Sequence, residues 1–470
     1  MLENVLYLLS EISLLLGVLV LLIQKMFTNA SIRSYFKTTK ITVMISAFFS
    51  ILFYNKVVFP SLFDVSSYTV LFYVLSALIM FAWLSLSIKW FISEDIDSCL
   101  FCILSIIALL GFDIVIKAID VAILFCGLGI LSFVNYKFLK FSDQSEEFHN
   151  ISARYLISAF LFMVLMIIAL CILGYENWSY NSVAEFIGLS DVNDALLIIC
   201  SILFFVLFLL NVAPLHFCFA DVVAYTVLPV AAYLNLVPLF ALFAVFVKLN
   251  TIVFTSYATE LNFVYSVFGI VSLIFGAIGA NSSRNLRKIF AYSSVYNLGI
   301  MLLLVSPFNS SNLLGGFIYL QVYVLALFGI YTSFYSFKSN GVYLTNLNMI
   351  NGIAKVRPFI SAAMLFFMIS LMGISPFPGF IGQLSALESF VASNSYGILF
   401  IALFCMIILM SAYLQIIRSI YFNDKEVEFN RPDYGVYVYL MINMVLIAIL
   451  IFRPEFLLYD APAVLNLVLR

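Results

Sequence analysis

Apolar residues recur along this chain in long unbroken runs, and the runs set the predicted elements. The chain opens with MLENVLYLLSEISLLLGVLVLLIQ, whose apolar run lies near 4–25, and runs of similar length follow near 40–59, 67–92, 98–116, 118–139 and 153–175. After a polar stretch at 176–194 come 195–217, 222–238, 239–257, 263–281 and 288–306, then 313–337, 358–390, 396–421 and 434–452. A hydrocarbon core about 30 Å thick takes roughly 20 helical residues to cross. Only helices or closed barrels satisfy their backbone in lipid, and these runs lack the alternation of a barrel strand. They predict an all-α polytopic membrane protein with about fourteen transmembrane helices. No loop is long enough for a second domain; the longest polar stretches are 140–151, 176–194 and 422–433, and the tail 453–470 is short and mixed. The first run has no basic leader and no small-residue cleavage site, so it reads as a retained span. Lys and Arg do not alternate cleanly between loops, so the positive-inside rule assigns no orientation.

Composition agrees with this reading. Of 470 residues, 64% are hydrophobic and 10% charged, with a mean hydropathy of +1.14; a soluble domain carries about 25% charged residues. The net charge of −2 offers no basic field for nucleic acid. The 50 Phe and 27 Tyr are an excess that accompanies AT-rich coding and hints at an organellar or similarly biased genome. Cys99 and Cys102 have CxxC spacing, but no second Cys/His pair lies at zinc-site spacing; the bland alternative is small apolar packing residues. No metal site, nucleophile triad, P-loop, dinucleotide fingerprint or haem pattern is evident, and glycines within the spans, such as Gly299, read as helix-packing residues.

Two spans contain helix breakers. LLNVAPLHFCFADVVAYTVLPVAAYLNLVP, near 209–238, carries Pro214, Pro229 and Pro238; LMGISPFPGFIGQ, near 371–383, carries Pro376, Pro378, Gly379 and Gly382. Proline removes a backbone donor and clashes with the preceding turn. Paired interrupted helices, one in each half, are the pattern of transporters built from inverted repeats; the alternative is ordinary proline kinks.

Ionisable residues at bilayer depth are costly and tend to be functional. GFDIVIKAID carries Asp113, Lys117 and Asp120, whose spacing of four and three predicts one shared helical face, with Lys117 paired to either carboxylate; the alternative is a solvated loop. His216 and Asp221 flank the first break, and His216 suits a proton relay or a buried structural role. Lys248, inside FALFAVFVKLNTIVF, must pair, face water or snorkel. Arg284, Arg287 and Lys288 cluster at a helix start, Glu388 follows the second break, and Arg418 reads as an interfacial anchor. Lys137, Lys140, Asp143, Glu146 and Glu147 read as a solvated loop.

Three segments together resemble one family. RNLRKIFAYSSVYNLGIMLL is similar to a helix start with a basic pair, Tyr-Ser-Ser and Leu-Gly. NVAPLHFCFADVV resembles a Pro-Phe-His-x-Trp-x-Pro-Asp-Val segment, and SLMGISPFPGFIGQ a Ser-Leu-x-Gly-x-Pro-x-x-Gly-Phe-x-x-Lys segment. ISARYLISAF and SAYLQIIRSIYF are softer matches. Over about 98–425, in order and spacing, they resemble the antiporter-like membrane-arm subunits of respiratory complex I, within these the subunit 2 or bacterial chain N type.

The resemblance implies two inverted five-helix repeats with one broken helix each, and a chain of glutamate, lysines and waters carrying protons along the mid-membrane axis. It divides the chain into N-terminal helices (1–97), a first repeat (98–257), a second repeat (258–421) and a C-terminal loop, helix and tail (422–470). It further implies a subunit of a proton-translocating NADH:ubiquinone oxidoreductase with no cofactor of its own, flavin and iron–sulfur clusters residing in partner subunits. Other membrane-arm subunits and lipid are the expected partners, and the mitochondrial inner membrane the expected location, with a bacterial plasma membrane as the alternative.

Carried over by position, the family's glutamate of the fifth helix falls at Asp120, a lysine of the next helix at Arg154, the helix-start lysine at Arg287 and the histidine at His216. Three family lysines fall at Leu209, Leu239 and Gln383; Lys248 is the nearest base to Leu239, about 2.5 turns away. Proton-path candidates are thus Asp113, Lys117, Asp120, Arg154, His216, Lys248, Arg287, Lys288 and Glu388. The expected function is proton translocation through altered half-channels, with a non-pumping scaffold of the same complex or a stand-alone cation/proton antiporter as alternatives.

Overall fold

The structure is a computed structural model describing residues 8–27, 31–52, 63–94, 98–142, 146–174, 178–189, 191–306, 310–339, 342–343, 345–423, 434–453 and 455. Asp143, the 424–433 stretch and the tail from 456 lie outside the described residues. Among the described residues twelve helices are long and apolar enough to cross a membrane. Ile32–Leu52 and the interrupted pair Pro358–Met372 and Pro378–Ala392 bring the crossings to about the number implied by the apolar runs. Large apolar side chains such as Phe160, Phe263, Phe400 and Phe404 stand exposed on these helices, which suits contact with lipid.

The residues gather into two compact units. Among the described residues, the first comprises the chain up to Leu210 together with Val237–Ala258; the second takes Asn211–Leu236 and the chain from Thr259 to Glu455.

In the first unit Ser98–Lys117 is the hub, packed by Leu9–Phe27, Ile32–Leu52, Ser67–Glu94, Val121–Leu139 and Leu239–Lys248. Glycine permits the closest of these approaches. A Cβ on Gly127 would lie 2.4 Å from the Val115 side chain, so Val121–Leu139 sits flush against the hub. Every residue of Leu239–Lys248 is buried, and the helix runs on into a π turn over Leu249–Val253.

In the second unit Leu286–Val305 is the buried centre. Asn285 caps it, its side chain accepting from the amides of Arg287 and Lys288, which satisfies two of the orphan donors at a helix start. A Cβ on Gly276 would come 2.5 Å from the Tyr296 amide, and one on Gly299 2.7 Å from Ser272 Cβ. Ala258–Ser282 therefore packs backbone to backbone against this centre, and Gly299 has the packing role expected of it. A short ribbon pairs Lys338–Ser339 with Val342–Tyr343.

Both breaks fall where the prolines predict. Val192–Leu209 stops before Asn211, which adopts a left-handed φ of 60°, and Pro358–Met372 stops at Gly373 with φ 66°. Gly373 is required twice over, because a Cβ there would also meet the Gln383 side chain.

Four elements differ from those predicted. The second helix begins at Ile32, well before 40, because its early turns carry Arg33, Lys37 and Lys40, which interrupt the apolar run. The runs at 222–238 and 239–257 are not two crossings. After the short Phe219–Tyr225 helix, Leu228–Leu236, Leu239–Lys248 and the π turn form one interrupted span, Leu228–Val253, parted near Pro238. The polar stretch 176–194 holds a helix of its own, Tyr180–Leu189, and Glu146 and Glu147 begin the Glu146–Leu173 helix.

Candidate functional site

The last turn of the hub helix gathers buried charge. Lys117 Nζ lies 2.8 Å from Asp113 Oδ1, one turn back, and 2.7 Å from Glu11 Oε1 on Leu9–Phe27. It also donates to Ser10 Oγ at 2.9 Å and stands 5.4 Å from the centre of the Tyr73 ring, within cation–π reach. Asp113 is fully buried and Lys117 nearly so, whereas the Glu11 side chain is 14% exposed. Ser10 Oγ donates in turn to Glu11.

One ammonium thus faces two carboxyls. With all three ionised the cluster carries an uncompensated negative charge, which burial penalises. A single added proton on the carboxyl pair removes that charge. The arrangement can therefore hold and release one proton, with Glu11 as its most accessible member.

Asp120 is not part of this cluster. The helix ends at Lys117, so the spacing that would put Asp120 on the same face no longer applies. The backbone from Ala118 to Asp120 is non-helical: Ile119 O accepts from the Tyr180 amide, and Asp120 pairs with Ser179 in an isolated bridge. Asp120 caps Val121–Leu139, accepting from Ala122 N at 2.8 Å. The acid placed by resemblance in the fifth helix lies just ahead of that helix, which has no acid of its own.

Lys248 sits below the same helix end. Its Nζ donates to Ala118 O at 2.8 Å and Ile116 O at 3.3 Å, and lies 3.7 Å from Asp64 Oδ2. A cation on terminal carbonyls is favoured by the helix dipole. Asp64 is fixed by its amide, which donates to Lys117 O, and by Ser66 and Thr69, whose hydroxyls donate to it. Its side chain is 23% exposed, so it connects this buried lysine to the surface of the unit. The π turn directly after Lys248 is of a kind found often at functional sites. Lys248→Met should leave two buried carbonyls without this donor, at about 1–3 kcal/mol each. Thermal denaturation of the purified protein should register that loss, whereas Lys248→Arg should recover most of it.

The second unit is built differently. Two buried cations stand at helix starts, Arg287 donating to Thr226 O and Arg357 donating to Ser336 O, and Lys288 and Asp221, both partly exposed, pair at 2.6 Å. Between them runs a network of neutral buried side chains. Asn235 donates to Tyr331 OH at 2.6 Å and accepts from Ser294, to which Tyr323 donates. Tyr319 donates to Asn297, whose amide reaches Ser293, and Ser293 meets Tyr413. Gln383 donates to Leu371 O at 3.2 Å and lines a cavity of about 10 Å³ with Asn297, Tyr319, Tyr323 and Ser370.

His216 lies in the turn after the first break, half-buried against Phe275 and Tyr292. Arg154, Arg284, Glu388 and Arg418 are exposed and join neither group. Leu209 and Leu239 are buried. Cys99 and Cys102 are buried thiols on the hub helix. The sequence reading missed Glu11 and Asp64. Glu11 had a visible signal, an acid within the first apolar run; Asp64 had none, since only the fold sets it beside Lys248.

A profile of the family described as "NADH:quinone oxidoreductase/Mrp antiporter, TM" matches residues 118–409. The chain belongs to this family. Two curated relatives are named NADH-quinone oxidoreductase subunit N. The one from Rickettsia bellii (strain RML369-C) is 24% identical over 408 residues, 86% of this chain and 87% of its own length. The one from Pelagibacter ubique (strain HTCC1062) is 25% identical over 338 residues, 72% and 71% of the two chains. Among solved structures, a chain of respiratory complex I from Thermus thermophilus with bound aureothin superposes with a TM-score of 0.78 at 18% identity, covering 97% of this chain and 99% of its own. A chain of the Mrp complex from Dietzia sp. DQ12-45-1b gives 0.84 at 15% identity, covering 100% and 98%. At such identities these superpositions speak for the fold. Glu11, Asp64, Asp113 and Lys117 all precede the stretch that the family profile matches.

Proposed function

We propose that this chain is an antiporter-like membrane-arm subunit of a respiratory NADH–quinone oxidoreductase, contributing to proton translocation driven by electron transfer in other subunits. The observation that carries the proposal is family membership together with relatives named subunit N along most of the chain. Flavin and iron–sulfur chemistry belongs to partner subunits, and this chain supplies no redox centre. The relatives are bacterial, which favours a bacterial plasma membrane over the mitochondrial inner membrane suggested by the Phe and Tyr excess.

Within that role the first unit carries the movable proton. The carboxyl pair Glu11–Asp113 holds it against Lys117, and Lys248 with Asp64 forms the exchange point nearer the surface. The second unit has Gln383 where the family pattern has lysine, and its hydroxyl and amide network carries no ionic site at depth. Both units contain a helix break, but among the described residues the fully buried acid–base pair, Asp113 with Lys117, lies in the first, while the buried Arg287 and Arg357 of the second rest on main-chain carbonyls.

Glu11→Gln tests this directly, because it leaves Lys117 and Asp113 as a balanced pair and should permit normal assembly. The expected result is NADH oxidation with fewer protons moved per NADH than in the wild-type complex. Normal assembly with unchanged stoichiometry would favour the second reading, a scaffold that moves no protons, for which the neutral residues at Leu209, Leu239 and Gln383 speak. Purification without redox partners would favour a cation/proton antiporter.

A further inference from the structure

The Ile32–Leu52 helix carries an unusual stripe. Arg33, Lys37 and Lys40 follow one another at spacings of four and three, and Ile41, Met44, Ile45 and Phe48 continue the same face. At 3.6 residues per turn these positions stack into one column, cationic over its first turns and apolar beyond.

A groove of about 520 Å³ runs along this column. Lys37 and Lys40 stand at one end; Ile41, Met44, Ile45 and Phe48 form the floor, and Phe81 of Ser67–Glu94 forms a side. Lys40 Nζ lies 5.8 Å from the Phe81 ring centre. The floor residues are 41–58% exposed. Neither lysine pairs with an acid among the described residues, and Ile32–Leu52 contains no acid at all. From Lys37 to Phe48 is eleven residues, about 16 Å along a helix, close to half the roughly 30 Å hydrocarbon thickness.

We propose that this groove is a binding site for one anionic phospholipid, its phosphate held between Lys37 and Lys40 and an acyl chain laid along Ile41, Met44, Ile45 and Phe48. Charge selects the occupant. An apolar helix from a neighbouring protein would fill the floor but leave two lysine ammonium groups unanswered at the groove's end. A zwitterionic lipid would offer the same chain with less favourable charge. An anionic phospholipid matches both parts over the length of one leaflet, and the long lysine stems can lie on the apolar wall while their heads reach the phosphate plane.

The test uses the protein purified in its native assembly from membranes. Spin-labelled phosphatidylglycerol and phosphatidylcholine are compared for motionally restricted binding, and tightly retained lipid is measured by mass spectrometry. The wild type should prefer phosphatidylglycerol, and the preference should weaken with salt. Lys37→Gln with Lys40→Gln should reduce it on the order of tenfold, with phosphatidylcholine unaffected. Ile45→Trp, which fills the floor and keeps both charges, should reduce retention of either lipid at this groove. Equal association of the two lipids with the wild type overturns the proposal without recourse to any variant. So does a preference that survives the double substitution in a normally assembled protein, or a photo-crosslinker at residue 44 that captures a neighbouring subunit instead of lipid.

Discussion

Lys117→Met is expected to be the most damaging single substitution in the first unit. It leaves Glu11 and Asp113 facing each other without their cation, and removing one partner from a buried ion group costs about 3–5 kcal/mol. That is a large share of the roughly 5–15 kcal/mol by which a domain is ordinarily stable. The expected result is loss of the chain from the assembled complex on native gels, with little protein left in the membrane. The triple variant Glu11→Gln, Asp113→Asn, Lys117→Met removes all three charges together and should recover assembly, since a buried ion cluster exchanged for neutral groups of similar volume is often tolerated. Recovery would separate the two roles of the cluster: its stability comes from mutual compensation, and any proton it carries comes from the carboxyl pair. Asp120→Asn supplies the contrast. Asn caps a helix about as well as Asp, so this variant should assemble and denature like the wild type. A collapse of assembly in Asp120→Asn, or its survival in Lys117→Met, would contradict this geometry.

Gly379→Ala should have the largest effect in the second unit. The added Cβ would fall 1.8 Å from Ser370 O, a main-chain atom of the preceding half of the broken helix that cannot rotate aside. Overpacking costs typically about 1–3 kcal/mol, and more when backbone must move. The two halves should then fail to close, and the protein should denature at markedly lower temperature in detergent. Gly397→Ala is the matching control: its Cβ would meet nothing within 4 Å, and an alanine in a helix should be neutral or slightly stabilising. Equal denaturation temperatures for the two variants would show that the approach at Gly379 is not a constraint.

How far the sequence disclosed these features depended on the range of the interaction. Pro214, Pro376 and Pro378 act on their own turns, so both helix breaks could be read locally. The pairing of Asp113 with Lys117 lies one turn apart on a single helix and was equally readable. Glu11 reaches Lys117 across 106 positions of sequence, and Asp64 reaches Lys248 across a still greater span; no periodicity encodes either contact. Asp120 was misplaced for a different reason. Helical spacing does not carry three residues past a helix that ends at Lys117, and Asp120, at that third position, caps the next helix instead. The second crossing was set too late because Arg33, Lys37 and Lys40 lower the hydropathy of a helix whose geometry nonetheless includes them.

The placing of the fully buried carboxyl, Asp113, in the first unit has an electrical consequence. A field across the membrane does work on charge that moves through it, about 2.3 kcal/mol for one elementary charge over 100 mV. Neutral hydroxyls and amides, such as those between Asn235 and Gln383, have only dipoles to turn. The triad of Glu11, Asp113 and Lys117 has a charge to gain or lose. For the proton movement proposed above, membrane voltage would act through that triad, whose occupancy an energised membrane should bias, whereas the buried Arg287 and Arg357 of the second unit keep their charge.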